Sequence, residues 1–192
     1  EHHLMGKVPT VMAHCIHLSD VEMDRMAETQ TMVSHCPYSN VNLSSGIAPI
    51  RKLFERKIPI GLGSDISGGH IVSMAKVLTE AIGLSKMKWA EVDPNYAPLT
   101  LSEAFYMATK GGGQFFGHVG SFEKGYELDA LIIDDTSLFD PNERSLEERL
   151  ERWLYVGDDR HIIERYVAGR VVPSPNCLLY TSPSPRDQRG SR

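Results

Sequence analysis

The sequence has few cysteines, no basic segment before its last residues and no long hydrophobic run. No apolar stretch approaches the roughly 18 residues that a membrane-spanning helix needs. The 20 Lys and Arg against 25 Asp and Glu give a formal net charge of -5, which argues against nucleic-acid and anionic-membrane partners. The three cysteines are irregularly spaced and predict no disulfide framework. We therefore expect a soluble globular protein of the cytoplasm.

The beginning of the chain shows no signal-peptide pattern and no initiating Met, since it opens with Glu1-His2-His3. Its 192 residues suffice for a domain with a real core. They fall short of the roughly 250 residues of a complete (β/α)8 barrel. We expect a fragment that lacks its start.

Short apolar runs alternate with helical segments in the first part of the chain. Strands are predicted over residues 8–13, 31–34 and 58–62. Capping boxes and apolar spacing predict helices over residues 20–28, 50–55, 74–87, 101–110 and 146–154. This alternation is typical of βαβ units and indicates an α/β fold with a parallel sheet.

The pattern changes after Gly117, which places a domain boundary near residue 118. The glycines at 111–113 precede this boundary and are predicted to end a helix, because no Lys-Ser/Thr follows them as in a phosphate-binding loop. Beyond it, we predict a strand over 130–133 and a hairpin over 165–172 that turns at Ala168-Gly169.

The last stretch, residues 174–192, is rich in Ser, Pro and Arg and has no hydrophobic periodicity. Within it, residues 177–187 resemble translated sequencing-adaptor read-through, so we predict a non-native or disordered tail. The predicted organisation is therefore 1–117, 118–173 and 174–192.

Three chemically capable side chains each follow directly on a predicted strand. They are His14, His35 and Asp65. Parallel strands joined by right-handed crossovers bring their carboxyl ends to one rim, where α/β enzymes place catalytic groups. Two imidazoles and a carboxylate there are suited to metal binding and proton transfer. The alternative is three hydrogen-bonded polar residues at strand ends.

Polar and small residues surround these positions. Asn40 and Asn42 begin a polar segment that ends at Gly46, which we predict to be a loop over the rim, able to hydrogen-bond a polar heterocycle or merely solvated. The glycines that bracket Asp65, at positions 61, 63, 68 and 69, would allow the backbone to approach a ligand or metal closely, although glycine also makes ordinary turns.

Motifs at the strand ends match a known family. They are VMAH at 11–14, SHCPYSN at 34–40, LSSG at 43–46 and GLGSDISGG at 61–69. Together they resemble the amidohydrolase superfamily and are most similar to its guanine deaminase branch. The segments 154–160 and 169–172 are similar to the C-terminus of the same family. The resemblance covers about residues 8 to 173.

The resemblance implies a (β/α)8 barrel with a small β-sandwich built from both chain ends. This chain would supply the last three barrel strands with their helices, within 1–117, and the C-terminal share of the sandwich, within 118–173. The implied reaction is the zinc-dependent hydrolysis of guanine to xanthine and ammonia, with one Zn2+ per subunit. The family usually forms homodimers, and the implied partner is a small-molecule purine.

The same resemblance assigns roles to particular residues. Asp65 would end the eighth strand, ligate the zinc and take the proton from metal-bound water. His14 would end the sixth strand and hydrogen-bond the hydroxide or the developing tetrahedral centre without being a main ligand. His35 and Asn40, at the end of the seventh strand, would shape the pocket and bind substrate.

Several family features are missing from this sequence. The His-x-His pair of the first strand, the zinc histidine of the fifth strand and the glutamate three residues after it are absent. His2 and His3 cannot replace the pair, because neighbouring residues on a strand face opposite ways. One ligand cannot hold a tetrahedral zinc site. We therefore expect a zinc deaminase as the parent protein and an inactive chain by itself.

Two other functions stay open at this point. An adenosine-derivative deaminase or a chlorohydrolase of the same superfamily could use His14 and Asp65 equally well. A non-catalytic α/β scaffold remnant is the alternative from another class. The cytidine-deaminase type of zinc site is excluded, because neither H-x-E nor P-C-x-x-C occurs.

Overall fold

The computed structural model describes residues 5–138 and 140–173, so the predicted tail at 174–192 lies outside the described residues. A parallel sheet has the strand order β1 (Val11–Ala13), β2 (Met32–His35) and β3 (Ile60–Leu62). The prediction of an α/β fold with a parallel sheet is confirmed. The first strand begins only at Val11 instead of at residue 8, beyond Pro9, which cannot donate to a strand ladder.

Helices connect and cover these strands. They are α1 (Asp20–Glu28), α2 (Pro37–Asn42), α3 (Ile50–Glu55), α4 (Met74–Glu91), α5 (Leu101–Ala108), α6 (Lys110–Gly113) and α7 (Leu146–Val156). The predicted capping boxes form at Ser19, Thr100 and Ser145. Each hydroxyl accepts the backbone N–H three residues later, and the Glu at that position accepts the N–H of the cap residue.

The prediction of a polar loop after the second strand is wrong in part. Asn40 and Asn42 lie in α2, and only the residues after Asn42 are irregular. The reason is Pro37, which occupies the first turn of α2, where a missing N–H costs nothing and a fixed φ favours the helix. The proline was visible in the sequence, but a helix of six residues leaves too little periodicity to detect.

The prediction that the glycines at 111–113 simply end a helix is also wrong. Helix α5 ends earlier, at Ala108, and the glycines belong to α6. A Cβ on Gly111 would lie 2.8 Å from the carbonyl oxygen of Ile60, and one on Gly61 would lie 2.7 Å from Cα of Gly112. The glycines are therefore needed for the close approach of α6 to β3.

The second sheet is antiparallel and consists of β4 (Ala130–Ile133), β5 (Ile162–Val167) and β6 (Arg170–Val171). Strand β4 has the predicted bounds. The predicted turn is also present, with φ of 49° at Ala168 and 73° at Gly169. Two consecutive positive φ angles suit a tight hairpin, because that backbone twist matches the twist of the flanking strands.

Helix α7 packs against α4 and joins both parts of the chain in one hydrophobic core. Trp153 and Leu154 are buried in the same cluster as Val33 of β2 and Leu78 of α4. Lys76 Nζ also donates to the carbonyl oxygens at the end of α7. The domain boundary near residue 118 stays a prediction. No helix within the described ranges is long and apolar enough to span a membrane.

Candidate active site

The carboxyl ends of the parallel strands bring His14 and Asp65 together. The ladder continues past β1 and β3, since His14 N donates to Ser34 O and Gly63 N donates to His35 O, both at 2.9 Å. Both side chains therefore emerge at the same rim, as the strand order predicts. His14 Nε2 lies 3.7 Å from Asp65 Oδ2, and the two side chains are 39% and 38% exposed.

The backbone turns sharply where these side chains leave their strands. His14, Cys15 and Asp65 have φ angles of 66°, 51° and 43°, and Ser67 has 99°. Left-handed backbone is unfavourable for residues with a Cβ and costs about 1 kcal/mol or more each. Such strain persists where surrounding structure enforces it, and it is concentrated at functional sites.

Helix α2 connects the two sides of this site. Asn40 is 1% exposed, and its Oδ1 lies 2.9 Å from His14 Nδ1. Two residues later, Asn42 Nδ2 donates to the carbonyl oxygen of Gly68 at 2.8 Å. The helix that the sequence analysis missed thus contacts both His14 and the loop that carries Asp65.

His35 lies at the end of β2 and is 1% exposed. Burial, followed by the nearby charge of His14, lowers the pKa of His35 to about 4, so its ring is neutral at neutral pH. In the described part of the chain, His35 Nδ1, Ser39 Oγ and Asn40 Nδ2 are buried without a hydrogen-bond partner. Buried polar atoms are rarely left unpaired, and those that are often belong to functional sites.

The two cysteines of the site are buried thiols. Burial raises the pKa of Cys15 to about 11, with a smaller contribution from Cys36, and burial also raises the pKa of Cys36. Both thiols stay protonated at neutral pH, whereas zinc binds thiolate. Cys15 and Cys36 are thus free thiols that behave as small buried side chains.

Gly68 borders the Asp65 carboxylate closely. A Cβ on Gly68 would lie 2.6 Å from Asp65 Oδ2 and 2.7 Å from Ser39 Oγ. The loop itself is closed by a hydrogen bond of 2.7 Å from Gly69 N to Asp65 O. The position of the carboxylate therefore depends on the missing side chain of Gly68.

The zinc ion implied by the resemblance needs three protein ligands and an open position. Within residues 5–138 and 140–173, no group of three or more His, Cys, Asp or Glu side chains could hold a metal ion. What the site offers is the partly exposed Asp65 carboxylate beside His14. These residues fit one ligand of a zinc site and not a complete set.

The predicted site residues thus lie together, but their side chains differ in solvent exposure. His14 and Asp65 are partly exposed, whereas His35 and Asn40 are buried beside them. The substrate-binding role of His35 and Asn40 stays a prediction. Ser39 was not singled out by the sequence analysis, because an isolated serine carries no signal of its own.

Comparisons with known proteins identify relatives of this chain. The guanine deaminase of Dictyostelium discoideum is 41% identical over 170 residues, which are 85% of this chain and 38% of that protein. The crystal structure of guanine deaminase from C. acetobutylicum with bound guanine is 52% identical, with a TM-score of 0.84, over 88% of this chain and 40% of that one. This chain therefore spans about two fifths of the length of these relatives.

A more distant structure extends the likeness of the fold. An adenosine deaminase from Xanthomonas campestris with bound zinc is 23% identical, with a TM-score of 0.72, over 88% of this chain and 39% of that one. The model of the amidohydrolase family matches residues 1–172. This chain, with His14 and Asp65 together at the strand ends, therefore belongs to the amidohydrolase family.

Proposed function

We propose that this chain is the C-terminal part of a zinc-dependent guanine deaminase, which hydrolyses guanine to xanthine and ammonia. The observation that carries the proposal is the pairing of His14 with Asp65, 3.7 Å apart at the ends of β1 and β3. The likeness to a guanine deaminase with bound guanine supports guanine as the substrate. In this proposal β1, β2 and β3 are the sixth, seventh and eighth strands of a (β/α)8 barrel.

Asp65 is the one residue of the described chain that we assign to the metal. Zinc, when bound, would supply the Lewis acidity that makes water a nucleophile near neutral pH. The Asp65 carboxylate is partly exposed and has the lone pairs for both tasks, binding a cation through one oxygen and accepting a proton at Oδ2. That proton is then available for the amino group that leaves as ammonia.

His14 acts next to Asp65 in this scheme. Its Nε2 faces Asp65 Oδ2 and can hold a hydrogen-bonding atom of the reacting centre between the two side chains. His35 stays neutral and adds no charge to the site. We propose that His35 and Asn40 shape the pocket from the buried side, next to His14.

The remaining assignments belong to the same proposal. Residues 1–117 would be barrel and residues 118–173 the C-terminal share of a β-sandwich. The zinc ligands that this chain lacks would come from a segment that precedes it. We propose a cytoplasmic homodimer that binds one Zn2+ and one small purine per subunit, and a tail at 174–192 outside the native fold.

The test begins with the coding frame upstream of Glu1. We expect His-x-His early in that frame and His-x-x-Glu shortly before residue 1. The full-length protein should then release ammonia from guanine much faster than from adenosine or a triazine. An in-frame stop or an unrelated domain upstream would refute the proposal, and so would a preference for adenosine or chlorotriazine.

The role of Asp65 is tested in the full-length protein. We expect Asp65→Asn to lower kcat by about 10²- to 10⁴-fold, the range for loss of a general acid or base, and to lower the zinc content. Asp159→Asn is the matched control, because it removes the same charge from an exposed position outside the site. Equal activities of the two variants would contradict the assignment.

A further inference from the structure

The two ring nitrogens of His14 have different neighbours. Nε2 faces Asp65 Oδ2 at 3.7 Å, whereas Nδ1 contacts Asn40 Oδ1 at 2.9 Å. A neutral imidazole carries its proton on one nitrogen and accepts hydrogen bonds at the other. The contact with Asn40 therefore decides what Nε2 can do toward Asp65.

Asn40 is held firmly at this position. It is 1% exposed and lies in α2, where its N–H donates to Cys36 O at 3.0 Å and its carbonyl oxygen accepts Ser45 N–H at 2.9 Å. Pro37 restricts the first turn of the same helix. A buried amide on such a backbone cannot move to adapt to a bound substrate, but it can fix the orientation of a neighbouring ring.

We propose that Asn40 is a positioning residue that keeps His14 in the Nδ1–H tautomer and so leaves the lone pair of Nε2 to accept a hydrogen held between His14 and Asp65. An amide oxygen only accepts, so the short contact makes Nδ1 the donor. Nε2 is then left as an acceptor. The opposite tautomer would donate from Nε2 to the carboxylate and compete with the proton that Asp65 accepts.

The inference rests on the proposed function for its catalytic meaning. In that reaction Asp65 receives a proton and later gives it up. An acceptor at Nε2 can share that proton or hold the hydrogen of an attacking water, whereas a donor at Nε2 can do neither. Partners that orient metal-ligating histidines are typically worth about 10- to 100-fold in activity, and we expect an effect of this size at His14.

The variants that test the inference are Asn40→Asp and Asn40→Leu. A carboxylate at this position still accepts from Nδ1–H, so Asn40→Asp should retain the tautomer. Leu has a similar size but accepts nothing, so Asn40→Leu should release the ring to the Nε2–H form. Thr31→Val is the matched control, because it removes the hydroxyl of another buried residue, which lies before β2 at the end opposite His35 and contacts Thr29.

The readout is the ¹⁵N NMR spectrum of the histidine-labelled full-length protein, in which the protonated and bare nitrogens of a neutral ring resonate far apart. We expect Nδ1–H in the wild type, Asn40→Asp and Thr31→Val, and Nε2–H in Asn40→Leu. In guanine turnover, Asn40→Leu should lower kcat about 10- to 100-fold with little change in KM. Asn40→Asp should retain more activity than Asn40→Leu.

Three results would overturn the inference. The first is protonation of His14 at Nε2 in the wild type, a result that does not depend on whether any variant folds. The second is an unchanged tautomer in Asn40→Leu. The third is a raised KM with unchanged kcat in Asn40→Leu, which would assign Asn40 to the substrate. The tautomer is measured without guanine, so the two proposals can fail separately. A protein that shows the expected spectra but does not deaminate guanine would refute the proposed function, whereas the tautomer assignment would stand.

Discussion

A single methyl group at Gly68 should displace the Asp65 carboxylate. The Cβ of Gly68→Ala would lie 2.6 Å from Asp65 Oδ2 and 2.7 Å from Ser39 Oγ, whereas ordinary contact begins at 3.4 Å. To reach ordinary contact, the distance to Asp65 Oδ2 must therefore grow by about 0.8 Å and the distance to Ser39 Oγ by about 0.7 Å. Displacements of about 1 Å in a catalytic group can cost about 100-fold in rate.

The same geometry predicts a modest effect on stability. Asp65 is 38% exposed, so its carboxylate can rotate toward solvent. We therefore expect the free energy of unfolding to fall by about 1 kcal/mol, the low end for overpacking. Guanine turnover by the full-length protein should fall about 100-fold in kcat/KM, and its zinc content should fall as well.

Gly83→Ala is the control for glycine substitution. Gly83 lies inside α4, and its added Cβ would meet no atom within 4 Å. We expect a gain of about 0.5–1 kcal/mol in stability from the higher helix propensity of Ala, with turnover unchanged. Turnover of Gly68→Ala within about threefold of the wild type would refute the claim that the Gly68 backbone positions Asp65.

Further predictions concern the core and the charges away from the site. The Arg51 guanidinium lowers the pKa of the Glu103 carboxyl to about 2 from an ordinary value of 4.5. After allowance for its partial exposure, this pair should add about 1–2 kcal/mol to the free energy of unfolding above pH 4.5. That contribution should be lost as the pH falls toward 2. Urea unfolding between pH 2 and 6 checks this, since Glu103→Gln should flatten that part of the profile. Leu53→Ala, at a side chain with no exposed surface, should cost about 2–5 kcal/mol in the same unfolding assay. Cys15, with its raised pKa, should resist iodoacetamide at pH 7 in folded protein and react after unfolding, and alkylation at equal rates in both states would contradict its burial.

Local signals in the sequence predicted local structure well. The capping boxes at Ser19, Thr100 and Ser145 depend on residues three positions apart, and all form in the structure. The Ala168-Gly169 turn also depends on adjacent residues only. These features are decided within a few residues, so the sequence contains the information they need.

Other segments were predicted wrongly because their conformation depends on distant partners. Helix α2 is short, and its buried residues are mostly polar, so the sequence has no helical spacing of apolar residues that would predict it. The glycines of α6 are explained by the close approach of Gly61, which is about fifty positions earlier in the chain. No local rule distinguishes a glycine that ends a helix from one that allows two elements to touch.

The amino-acid order alone placed His14 and Asp65 at one rim, because strand ends and the right-handed crossover are encoded in hydrophobic patterns and chain direction. Only the tertiary structure decided the contacts that give these side chains their chemistry. The 2.9 Å contact between Asn40 and His14 joins residues 26 positions apart through a buried helix. The packing of Gly68 against Asp65 depends on a strained loop that folds back over 3 positions. Distances of this kind arise from packing, which a pattern of residue types does not specify.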